Sequence, residues 1–124
     1  ANPWYRVGFE TALSAELAEG LTLRHLSAPH FLATKFEAFK DRGQNDVYLS
    51  HDLEDIMTVM EGRSTVVQEL AAAHEAVRKH VGHCVAALLD MPTFHNALPG
   101  LLSDPEREHA VKARLTQIAQ LKDI

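Results

Sequence analysis

The sequence predicts a mostly helical α+β unit, a short β-hairpin followed by about five helices, on three observations. Apolar residues alternate on either side of Glu19-Gly20. Downstream, apolar residues recur at helical spacing in one stretch after another. Serine, threonine, proline and glycine fall where helices start and stop. The opening stretch WYRVGFETAL is weakly amphipathic through Trp4, Val7 and Leu13 and reads as helix. The alternation over LSAELAEGLTLRHLSAP then puts Leu21, Leu23 and His25 on one face of the second hairpin strand. Ser27 precedes Pro29 near a first helical turn, so a helix is expected from about residue 28 to Asp41. Gly43, Asn45 and Asp46 interrupt it.

Ser50 can cap the next helix, whose Leu53, Ile56, Met57 and Met60 share one face and which Gly62 ends. Thr65 and Gln68 have capping-box spacing, opening a helix through Val66, Val67 and Leu70 that breaks near His74. Val77, Val81, Val85 and Leu88 continue in helical register until Pro92. A short helix is expected around TFHNALPGLL, bounded by Pro99-Gly100. The last helix has Pro105 at its first turn, acids early, and Val111, Leu115 and Ile118 as its buried stripe. With no internal repeat and no linker, residues 1–124 read as a single unit.

At 124 residues, 46% of them hydrophobic, the chain can bury a core. No run approaches the roughly 18 consecutive apolar residues of a membrane span, and no basic segment precedes an apolar signal core. The expected location is the cytoplasm, with no membrane partner. Cys84 is the sole cysteine, which excludes an internal disulfide and fits a reducing compartment. A formal charge of −5 argues against a broad basic surface for nucleic acid. The first residue is alanine, so the chain is read as a piece of a longer product.

The sharpest chemical question lies in FLATKFEAFK. On a helix, Phe31, Lys35 and Phe39 stack four residues apart, so Lys35 projects from the apolar stripe. Such a lysine either lays its methylenes on the core and sends its nitrogen to water, or it waits for an anion such as phosphate. Asp52 and Asp55 stand in the first turns of the following helix, where the dipole favours any carboxylate. Asp52 falls at the border of that helix's buried face and Glu54 faces away. If the two helices pair, Lys35 and Asp52 can meet over one pocket.

The segments SAPHFLATKFEAFKDRG and DVYLSHDLEDIMTVMEGR resemble the carboxyl half of AbiEii-type nucleotidyltransferases, the abortive-infection and toxin–antitoxin enzymes. The likeness is clearest over residues 20 to 63. It implies that Lys35 contacts the nucleoside triphosphate, that Asp52 is the functional acid and Asp55 a supporting one, and that Arg42 faces phosphate. His51 stands where the family more often has arginine or lysine. The family's glycine-rich turn and its Asp-x-Asp magnesium pair have no counterpart here. The resemblance therefore implies an inactive piece whose Mg2+ is bound by a missing amino-terminal half or a companion chain, with tRNA or a protein as acceptor.

Two other readings remain open. One is a non-enzymatic helical interaction module that dimerises or covers a partner. The other is an HD-type metal-dependent phosphohydrolase built on His25, His30 and the His51-Asp52 doublet. His80 and His83 with Cys84 beside them lack further metal ligands and read as surface or helix-end residues. Arg107, Lys112 and Arg114 are offset by Asp104, Glu106 and Glu108 and read as a solvated face.

Overall fold

Ser27 opens the first described helix of the computed structural model as the sequence suggests: its hydroxyl lies 3.5 Å from the amide of His30, and its carbonyl accepts from Phe31. The structure describes residues 27–41 and 46–124. Among the described residues six α-helices follow one another: α1 (Ala28–Asp41), α2 (His51–Gly62), α3 (Val66–Ala71), α4 (Glu75–Leu89), α5 (Pro92–Leu101) and α6 (Glu108–Gln120). Short 3-10 turns at Pro105–Arg107 and Leu121–Asp123 flank α6.

The described residues contain no strand, so the α+β expectation is corrected to an all-helical architecture. The hairpin expected around Glu19-Gly20 lies outside the described residues, as do the opening helix at residues 4–13 and His25. The downstream sequence carries only three-to-four-residue periodicity, and each of those stripes folds as a helix face.

α4 and α6 pack together along most of their length, and α1 lies against both α2 and α4. The predicted stripes form the core. Leu53, Ile56, Met57 and Met60 of α2 are wholly buried, as are Val81 and Val85 of α4 and Leu115 and Ile118 of α6. Each such side chain stabilises the fold by roughly 1.5–3 kcal/mol relative to leaving it in water. α4 and the carboxyl-terminal turn meet at Gly82, where a Cβ would stand 2.8 Å from the amide nitrogen of Lys122. Only glycine permits that approach.

Two expected boundaries differ. Thr65 does not cap α3; its hydroxyl donates instead to Glu69 at 2.9 Å, and Arg63 grips the same carboxylate at 2.6 and 2.8 Å. The charged fork outcompetes a lone hydroxyl cap. Nor does Pro99 end α5, which runs through it to Leu101. Proline there deletes one hydrogen bond close to the helix end, while Phe94 and Leu98 hold the helix in the core with no exposed surface.

Candidate functional site

α1 and α2 carry the residues singled out in the sequence. Ser50 caps α2, its hydroxyl accepting from the amide of Leu53 at 3.1 Å, which fixes where the first turn begins. Asp52 and Asp55 therefore leave the same side of that turn, toward α1. On α1, Leu32, Ala33, Phe36 and Phe39 are buried and hold the helix against its neighbours. Lys35 lies at the edge of that face.

The Lys35 ammonium does not trail into solvent. It lies 2.7 Å from Oδ2 of Asp55 and donates to Oδ1 of Asp52 at 3.4 Å. It also sits 5.7 Å from the centre of the Phe31 ring, within reach of a cation–π contact. Side-chain exposure falls from 49% at Asp55 to 24% at Lys35 and 9% at Asp52, so the cluster runs from the surface inward. The hydrogen bond that Lys35 donates to Asp55 holds the lysine pKa above its ordinary value against the opposing effect of burial, with Asp52 adding to the same direction. Chemically the site offers a positioned ammonium, charged at neutral pH, flanked by carboxylates of unequal exposure.

Arg42 lies outside the described residues. His51 is 91% exposed and turns to Glu54, 3.1 Å away, rather than toward Asp52. His30 takes the hydroxyl of Ser27 at 2.6 Å. Among the described residues no three histidine, cysteine or acidic side chains gather as metal ligands. Magnesium asks for near-octahedral oxygen donors. Asp52 and Asp55 converge on an ammonium instead, so the described residues do not fit it.

Sequence reasoning missed a second buried acid. Glu61 in the last turn of α2 accepts from the amide and hydroxyl of Ser103 at 2.9 and 2.8 Å and from the amide of Asp104 at 2.8 Å. Those bonds, the Ser103 amide foremost, hold its carboxyl below the usual carboxylate range. The signal was available: an acid at a helix carboxyl end opposes the dipole and calls for a dedicated partner. Arg114 corrects the solvated-face reading of α6. Its Nη1 donates to the carbonyls of Met60 and Glu61 at 2.7 and 3.0 Å, closing the end of α2. Arg107 and Lys112 do pair locally, with Asp104 and Glu108 at 3.8 and 3.7 Å.

On the opposite flank of α1, His80 of α4 stands 3.6 Å from the sulfur of Cys84 and 4.0 Å from Oε2 of Glu37. Burial pushes the Cys84 thiol up to about 11 and lowers the His80 pKa. A protonated thiol beside a neutral imidazole is poorly placed for nucleophilic work.

Comparison with protein families, curated proteins and solved structures finds no match to this chain. No helix among the described residues is long and apolar enough to cross a membrane.

Proposed function

We propose that this chain is the carboxyl-terminal portion of a nucleotidyltransferase-like protein, which moves a nucleotide from a nucleoside triphosphate to an acceptor such as tRNA or a protein. The observation that supports it is the Lys35 ammonium, held at 2.7 Å by Asp55 and 3.4 Å by Asp52 on the helix pair that carries the resemblance. Lys35 binds the triphosphate. Asp52, the buried partner, keeps the ammonium charged and aimed; Asp55, the exposed one, swings away as phosphate arrives. Because the cluster brings one more negative than positive charge, the triphosphate needs a counter-cation, which Mg2+ supplies from residues outside this helix pair.

The test is isothermal titration of ATP, GTP, CTP and UTP in magnesium, with the chain alone and mixed with the segment encoded upstream of it. Binding that requires Lys35, is lost in Lys35→Ala with the fold intact, and strengthens in Asp55→Asn supports the reading. Equal binding by Lys35→Ala, or none by chain and mixture alike, removes it.

A helical interaction module is the second reading, favoured by Tyr48 and Leu49, which are 59% and 77% exposed just before α2. It expects dimerisation, or capture of the upstream segment, to weaken in Leu49→Asp with nucleotide binding absent throughout.

A further inference from the structure

Away from the Lys35 cluster, residues of α1 and α4 line a half-open cavity of about 330 Å³. Its floor is apolar: Phe36, Phe39 and Leu88 line it and are all but buried. Its rim is basic. Lys40 from α1 and His83 from α4 line it and are exposed, and the half-buried His80 of α4 lines it as well. No carboxylate of the described residues lines the cavity, and Glu37 stands 4.0 Å from His80. The volume falls at the lower end of the roughly 300–1,000 Å³ of small-molecule sites, which are mostly apolar with a few placed polar groups.

We propose that this cavity binds a small molecule with a ring-sized apolar body and a single anionic head, the body on Phe36, Phe39 and Leu88 and the head between Lys40 and His83. Charge complementarity selects the head. An apolar floor alone admits neutral and charged rings alike, but the Lys40 ammonium adds an ion pair to its hydrogen bond only when the head is an anion. Cys84 contributes polarizable wall rather than chemistry, since it is half-buried and keeps its proton. Ala87 lines the cavity and is exposed, so a large side chain there would fill it from the solvent side. This site does not depend on the nucleotide reading, for Lys35 takes no part in its lining.

The test titrates the full chain with naphthoate and, in parallel, with the neutral naphthalene methanol, followed by fluorescence and by calorimetry. Saturable one-to-one binding of naphthoate is expected, with the neutral analogue weaker by about tenfold or more. Ala87→Trp, which fills the mouth from an exposed position, abolishes naphthoate binding without changing the helical circular dichroism. Lys40→Gln, also at an exposed position, brings naphthoate down to the level of the neutral analogue. No binding of either probe, equal binding of both, or binding indifferent to Ala87→Trp and Lys40→Gln overturns the proposal.

Discussion

Lys35 and Asp55 are joined at 2.7 Å across the α1–α2 pair, and it is the more exposed carboxylate, not the buried Asp52 at 3.4 Å, that makes the shorter contact. The difference sets what each partner does for stability. Asp55 is half in water, so its pair is screened and Asp55→Asn should cost under about 1 kcal/mol. Asp52→Asn alters a group with 9% of its side chain exposed and should cost more, about 1–2 kcal/mol. Urea titrations of the two variants check the order; a costlier Asp55→Asn would mean that the surface pair carries the joint.

The same pair carries a pH dependence with a definite sign. The folded pKa of Lys35 is raised above its ordinary 10.5, chiefly by Asp55, so folding binds the proton more tightly than the unfolded chain does. Its contribution is whole below the unfolded value and is lost as pH rises through the folded one. Wild type and Lys35→Met should therefore differ by a constant amount around neutrality and converge in strong alkali. Stability curves that stay parallel through the alkaline range would show the ion pair to be without weight.

Glu61 gives the opposite limb. Its pKa lies below the ordinary 4.5 because the amide of Ser103, above all, favours the carboxylate. That stability is present above the unfolded value and drains as pH falls through the folded one. In acid, wild type should lose stability more steeply than Glu61→Gln, and the glutamine variant should melt at a lower temperature at neutral pH. Thermal melts of both proteins across the acid range read this directly.

Glycines test the packing. Ala at position 82 puts a Cβ 2.8 Å from Lys122 N, 3.1 Å from Lys122 Cβ and 3.2 Å from the Ile118 carbonyl, all but one of them backbone atoms. Gly82→Ala should destabilise by about 1–3 kcal/mol, in the manner of an overpacked core. Gly100 lies within α5 with nothing within 4 Å of an added Cβ, so Gly100→Ala should stabilise by about 0.5–1 kcal/mol through helix propensity. Chemical denaturation of both variants decides; equal effects would mean that the α4 approach to the final turn is slack.

Most of the helical order was legible because it is local. Ser27 and Ser50 cap their helices where the sequence marked them, and every stripe residue from Leu53 to Met60 is buried as its spacing required. The Lys35–Asp52 meeting was legible as a possibility, since both residues sit at the border of an apolar face. What was not legible is non-local. Glu61 meets Ser103 and Arg114 meets Met60 across gaps of more than forty residues, and neither pairing leaves a periodic trace. Arg114 looked solvated because Asp104, Glu106 and Glu108 offset the basic residues of the last segment in the sequence. Thr65 misled because the capping-box pattern ignores Arg63, whose fork to Glu69 lies outside the four-residue window.

Cys84 and His80 lie 3.6 Å apart, close enough to ask whether they form an activated thiolate. Their surroundings oppose it from both ends. Burial raises the thiol from 9.0 to about 11, and burial lowers His80, making the imidazole a weaker base. Glu37 pulls the histidine up but also raises the thiol, while Lys40 acts the other way on both, so neither neighbour creates the ion pair. A rise of two units leaves about one-hundredth of the thiolate of an ordinary cysteine at neutral pH. Alkylation by iodoacetamide should accordingly be slower than in the urea-unfolded chain by about that factor or more, and should accelerate about tenfold per pH unit until the thiol titrates. His80→Ala should leave the neutral-pH rate within a few-fold of wild type. A native rate matching the unfolded one, collapsing in His80→Ala, would instead make this pair a reactive centre.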